Sequence, residues 1–265
     1  MAYNSLSNNS DFLVQARAAT VFAAFESSLF LGGSLIPVVN APNGLLKVPK
    51  ISGGAATTIA GGSADSTGDI SAVAVTANGV NIVANLYAAR SVVRDLGAID
   101  PNEVGRQLGN TITNAFDAAV VAAIEGVDAA DAGDDILADI FAGVGAIRAA
   151  GETGQLFGLV SADQYAAVMA KIGSQAYAGG EAFQGQALRS GLLGAIAGVP
   201  MFVTSKMDTG LAICGMEGLR IAMQKNVDVE IARRAEAVGN DVVASIHAGV
   251  GVVDAARIYR VSYAA

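Results

Sequence analysis

One cysteine, one histidine and few charges in 265 residues limit what this chain does before any motif is read. A lone cysteine, Cys214, excludes an internal disulfide and every site built from several thiolates. By itself it reads as a small buried hydrophobe. The lone histidine, His247, lies in the run ASIHAGVGVV with no second histidine and no nucleophile beside it. Neither a Ser-His-Asp arrangement nor a histidine metal site has its parts, and His247 reads as a packed strand residue. Long hydrophobic runs are missing as well. A membrane-crossing helix needs about 18 uninterrupted apolar residues, whereas VFAAFESSLFLGGSLIPVV is broken by Glu26, by Gly32 and Gly33, and by Pro37. No basic cluster precedes it as in a signal peptide. The expectation is a chain of cytosolic origin with no membrane partner.

Positive charge is scarce in its own right. Sixteen Lys and Arg stand against 24 Asp and Glu, a net charge of −8, with an isoelectric point near 4.6. Wrapping nucleic acid needs clustered cations, so contact with DNA is expected to be local or absent. Charged residues are 15% of the chain and hydrophobic ones 52%, against about 25% charged in a typical soluble domain. Mean hydropathy is +0.47. With too few charges to solvate its surface and no membrane span, the chain is expected to cover that surface with other subunits, as large obligate assemblies do.

What is present gives an order of elements. The polar start, MAYNSLSNNS, reads as flexible, and its sequon Asn8-Asn9-Ser10 carries no weight without a secretion signal. Phe12, Ala16, Ala19, Ala23 and Phe30 then suggest a loose amphipathic helix or arm. Pro37, Pro42 and Pro49 surround a short strand, followed by GGAATTIAGGSADSTGD, an exposed excursion with little to bury. Val73 and Val75 precede Asn78-Gly79, and Val80 and Ile82 follow, which predicts a tight hairpin. Residues 40–90 thus read as an extended β arm with a polar tip and an apolar stem.

The strongest local pattern comes next. Asp100 as N-cap, Pro101 at the first helical position and Glu103 three residues after the cap form a capping box. Val104, Leu108, Ile112, Phe116, Val120 and Ile124 give one apolar stripe until Gly126. Asp128, Asp131, Asp134 and Asp135 make a solvated turn into a second helix with Ile136, Ile140, Val144 and Ile147 on one face. QLFGLVSADQYAAVMAKIG reads as a buried strand running into a helix capped by Ser161 with Gln164. A polar, glycine-rich stretch leads to GLLGAIAGVPMFVTSKM, where Gly191, Gly194 and Gly198 loosen the backbone and Pro200 fits only a strand start or edge. LRIAMQKNVDVEIARR and DVVASIHAGVGVVDAARIYRVSYA read as strands.

Chemical motifs are thin. The G-x-G pairs at Gly143 and Gly249 do not complete a dinucleotide fingerprint, and the acids from Asp128 to Asp139 lack the order of a calcium loop. No catalytic, cofactor-binding or metal-ligating residue is expected, and no cofactor.

The order of segments resembles the major capsid proteins of tailed bacteriophages, the Hong Kong 97-type α+β fold. The resemblance is carried by SVVRDLGAIDPNEVGRQLGNTITNAFDAAVVAAI, by LFGLVSADQYAAVMAKI and by GLLGAIAGVPMFVTSKM, and it covers the chain from about residue 35. It implies an N-terminal arm over 1–39, an extended β loop over 40–90, a peripheral domain over 91–130 and 221–265 with a long spine helix, and an axial domain over 131–220. It further implies a structural subunit, not an enzyme, that self-assembles into pentamers and hexamers of an icosahedral shell built in the host cytoplasm. Its partners would be further copies of the chain, a portal, a decoration protein in some shells, and packaged DNA held without sequence-specific binding. The short segment ahead of the β loop implies either a separate scaffolding protein or a mature form of the chain, and the start at Met1 favours the former. Cross-linking as in some members would use lysines of the β loop, and Lys47 and Lys50 lie there without a matched asparagine and acid. Under the same resemblance, a flexible glycine-spaced loop near the symmetry axis lets one sequence fit rings of two sizes. A bacterial nanocompartment shell of the same fold, with a groove for cargo peptides, is the second reading, and a small α/β enzyme the third.

Overall fold

The computed structural model describes residues 6–52, 76–93, 100–130, 135–174, 195–208, 210–234 and 239–263. In chain order the elements begin with α1 (Leu6–Ser27), β1 (Val38–Asn40), β2 (Leu45–Ser52), β3 (Thr76–Val83), β4 (Asn85–Val93) and α2 (Pro101–Glu125). They continue with α3 (Ile136–Ala149), β5 (Leu156–Ser161), α4 (Ala162–Ser174), β6 (Ala195–Ile196), β7 (Val199–Thr204) and β8 (Gly210–Gly215). Last come β9 (Leu219–Arg234), β10 (Gly239–Val252), a 3-10 turn at Ala255–Arg257 and β11 (Ile258–Ser262).

Helix α2 forms where the capping pattern and the stripe predict it. Asp100 accepts a hydrogen bond from the Asn102 N–H, Pro101 opens the helix and Gly126 caps its end. The other half of the expected capping box takes a different partner: Glu103 accepts from Gln107 and pairs with Arg106 along its own helix. All six stripe residues are buried. They pack on a four-stranded sheet of order β1-β9-β10-β4, where Val242, Ala244 and Ile246 of β10 join them in one core. Phe116 meets Tyr87 of β4 edge to face at 5.9 Å.

Helix α1 lies along α2, and small residues set how closely. A β-carbon on Gly105 would stand 2.5 Å from the Ala16 carbonyl oxygen, and one on Gly109 would stand 2.7 Å from that of Thr20. The Gly-x-x-x-Gly spacing brings two helix backbones together where side chains would hold them apart. Phe12, Ala16 and Ala24 of α1 enter the main core with Phe30 beyond it. Residues 6–10, expected to be a flexible start, are the first turns of this helix. Its C-terminus is fastened by Asp117, which accepts from the Ser28 hydroxyl at 2.7 Å and the Leu29 N–H at 3.3 Å.

A five-stranded sheet, order β11-β8-β5-β7-β6, carries the second core with α3 and α4. Here β5 pairs parallel with β7, as a strand-helix-strand connection requires, and antiparallel with β8. Asp135 N-caps α3 through the Leu137 N–H, and Ile136, Ile140 and Ile147 are buried on its inner face. Ser161, expected to cap α4, turns its hydroxyl oxygen to the Gly210 N–H across the sheet. The last strand, β11, pairs with β8 and so joins this second sheet rather than the one built by β9 and β10.

The β arm is present, but its turn is elsewhere. Asn78 and Gly79 lie inside β3, opposite Lys50 and Pro49 of β2, so the hairpin expected at Asn78-Gly79 is corrected to a β2–β3 pair whose connection, with the GGAATTIAGGSADSTGD tip, lies outside the described residues. The reason is the partner available: Val80 and Ile82 stand opposite Val48 and Leu46, and this face packs on Ala41, Ala222 and Val253. A local Asn-Gly turn would have given up that burial.

Candidate functional site

No described element gathers a catalytic constellation, and the described residues contain no group of three His, Cys, Asp or Glu side chains placed to hold a metal. No described helix is long and apolar enough to cross a membrane. Cys214 sits fully buried in β8, where loss of solvent pushes its thiol above the usual range. His247 sits at an irregularity of the β9–β10 ladder, between Leu86 and Lys225. Of the acids weighed for calcium, Asp128 is exposed, Asp135 caps α3, and Asp139 accepts from the Tyr263 hydroxyl at 2.7 Å. Asp131 and Asp134 lie outside the described residues.

The two G-x-G pairs have structural uses. Gly143 of α3 is pressed by the Tyr259 ring and Ile213, where a β-carbon would stand 2.5 Å from the ring edge. Gly249 and Gly251 of β10 lie against Val83 and Ile82. Bare backbone there lets the root of the β arm cross β10, and the Ala84 N–H ties the root to the Gly44 carbonyl at 2.8 Å. Spacing alone marked these glycines; only the crossing explains them.

What the structure offers is surface. Along α1, Val14, Ala18, Val21, Phe22 and Phe25 line a shallow apolar groove beside Arg17, with Val14 and Phe22 two-thirds exposed. The inner face of the same helix is already used by α2, so α1 has a second apolar strip on its outer side, interrupted by Gln15, Arg17 and Glu26. Leu45, Val83, Leu86 and Val92 are exposed along the arm root and β4, and Phe141 on α3. This placement could not be read from periodicity, because residues on both faces of α1 and β4 are apolar.

Charge is spent at the joint between the two cores. Glu152, only 1% exposed, accepts from the Gly154 N–H at 2.8 Å and pairs with Arg257 at 3.0 Å. Arg257 also binds Glu217 and Asp254. Burial opposes the charge on Glu152, but the Gly154 N–H and the Arg257 guanidinium outweigh it and hold the carboxyl below its usual range. At Asp117 burial wins and holds the carboxyl above its usual range, against the bonds from Ser28 and Leu29 and the attraction of Lys206. Sequence reading missed both joints, since neither partner set is close in the chain. The β6–β7 turn carries a third local feature: Ala197 and Gly198 both have positive φ, 54° and 76°, the geometry of a tight hairpin whose first residue is ordinarily Asn, Asp or Gly.

The sequence matches no protein-family model and no curated protein. The fold is shared nonetheless. A virus-like particle from Pyrococcus furiosus matches with a TM-score of 0.69 over 95% of this chain and 100% of that chain, at 13% identity. The capsid of an empty GTA particle matches at 0.65 over 87% and 95%, with 16% identity. Mycobacterium phage Che8 matches at 0.62 over 82% and 84%, with 14% identity. An α+β chain with a β arm, a long helix against a four-stranded sheet and a second sheet with its own helices, this protein has the Hong Kong 97-type capsid fold.

Proposed function

We propose that this chain is the structural subunit of an icosahedral shell, closing into pentamers and hexamers around a phage genome, with no catalytic role of its own. The carrying observation is that the fold shared with capsids and a virus-like particle extends over nearly the whole chain, leaving little of it for an appended activity. Apolar exposure on α1, β4 and α3 supports the same reading, since a chain this poor in charge needs its neighbours to cover those faces. In this reading 1–39 is the N-terminal arm, whose outer α1 face meets adjacent subunits as does the β loop over 40–90, while 91–130 and 221–265 form the peripheral domain and 131–220 the axial domain. The last strand, β11, is shared with the axial sheet. A portal and a separate scaffolding protein complete the assembly, and the product is a virion capsid.

The groove on α1 favours a second reading, a nanocompartment shell of the same fold that holds an apolar cargo segment there. Electron microscopy of purified particles, with analysis of their contents, tests both. Icosahedral shells with DNA support the first reading, and shells with an enclosed enzyme support the second. A species that sediments only as a 26.5 kDa monomer at every concentration overturns both.

A further inference from the structure

Strand β4 ends the four-stranded sheet, and of the usual protections of such an edge it carries a single charge, Arg90, which is tied back to Asp241. All nine of its residues pair with β10 in unbroken register, with no bulge on β4 itself. Its sequence, NLYAARSVV, holds no proline, glycine or lysine. Edges of this length normally carry several charged side chains, above all lysine, or a proline, a bulge or a covering segment. Among the described residues β10 lies beside β4, α2 packs beneath it, and no strand occupies its other side. The outward side chains are Leu86, Ala88, Arg90 and Val92, all exposed, with Leu86 at 59% and Val92 at 43%.

The outward pattern is self-complementary about its centre. If two such strands pair antiparallel with Ala89 opposite Ala89, Leu86 faces the partner's Val92, Ala88 faces the partner's Arg90, and both apolar ends are covered. Moving the centre to Ala88 sets Leu86 against arginine, and moving it to Arg90 sets the two guanidinium groups against each other, which costs stability on a sheet face. With the centre on Ala89, each arginine keeps its own carboxylate, since Arg90 pairs with Asp241 at 2.6 Å. A contact of this kind is isologous and closes on a two-fold axis. We infer that β4 docks on β4 of a second copy of this chain, antiparallel and centred on Ala89, joining two four-stranded sheets into one. The inference deepens the shell reading by naming one subunit contact, but its geometry stands without that reading.

The test uses the register. Leu86→Cys and Val92→Cys are prepared separately on the full chain, with circular dichroism to verify that each folds. Both sites are exposed and the native Cys214 is buried. Facing residues of an antiparallel pair lie about 4.5–5.5 Å apart at Cα, within disulfide reach. Oxidised glutathione is expected to give a covalent dimer when the two variants are mixed at assembling concentration, and none with either variant alone. Absence of the dimer from the mixture, or an equal amount in a single variant, overturns the inference. Shells that form without the 86–92 cross-link overturn it while leaving the shell reading intact. Cross-linked dimers that never build shells support it and count against the shell reading.

Discussion

Gly109 of α2 lies directly beneath Thr20 of α1, so close that a β-carbon at Gly109 would stand 2.7 Å from the Thr20 carbonyl oxygen. The Thr20 hydroxyl is fully buried and donates to the Ala16 carbonyl of its own helix at 2.7 Å. One face of α1 is therefore committed to α2 by backbone proximity, leaving Val14, Phe22 and Phe25 outward.

Gly109→Leu is expected to lift α1 from α2. Overpacking typically costs about 1–3 kcal/mol, and here the obstructing atoms are backbone, which cannot rotate aside. Limited proteolysis within residues 6–27 reports the release. Unchanged protection in Gly109→Leu would refute the close seam. The exposed neighbour Asn110→Ala is expected to behave as wild type.

Phe116→Ala is expected to cost about 3–5 kcal/mol, because its ring is fully buried against Tyr87 and the β10 face. Gln107→Ala, on the solvent side, is expected to stay within about 0.5 kcal/mol of wild type. Urea unfolding of the two variants measures the contrast, and equal midpoints would contradict the stripe.

The two joints respond to pH with opposite sign. Glu152 is held below the usual carboxyl range, so its contribution is present above its unfolded value and lost as pH falls through the folded one. The deficit of Glu152→Gln should therefore be largest near neutrality and shrink below about pH 4. Asp117 is held above the usual range, so its contribution is present at low pH and lost as pH rises through the folded value. Wild type should lose ground to Asp117→Asn as pH rises above about 4. Unfolding free energies across pH 3–7 check both, and parallel curves would dismiss them.

Ala197 holds φ at 54° in the β6–β7 turn. Ala197→Gly is expected to stabilise by about 0.5–1 kcal/mol, relief of the left-handed cost exceeding the added chain entropy. Gly198→Ala, at φ 76°, is expected to destabilise. Thermal midpoints moving in the same direction for both variants would be inconsistent with this turn.

Helix α2 was legible in the chain because cap, first-turn proline and stripe all lie within 25 consecutive residues, and β9 matched its apolar run for the same local reason. The scarcity of charge was likewise legible in the chain, and it goes with the apolar exposure of Val14, Phe22, Leu86 and Val92. Asn78-Gly79 defeated local reading because Val80 and Ile82 gain more by facing Val48 and Leu46, some thirty residues away, than a two-residue turn offers. Gly105 and Gly109 carried no message in sequence, and Gly249 and Gly251 only a G-x-G spacing, since a glycine states only that a side chain is missing and tertiary structure alone says what occupies the space. Glu152 and Arg257 are 105 positions apart, and their ion pair exists only because the fold closes the α3–β5 loop onto the 3-10 turn. Local order was written in short-range spacing, and the joints, the arm crossing and the open β4 edge came from long-range contacts whose partners no window of sequence contains.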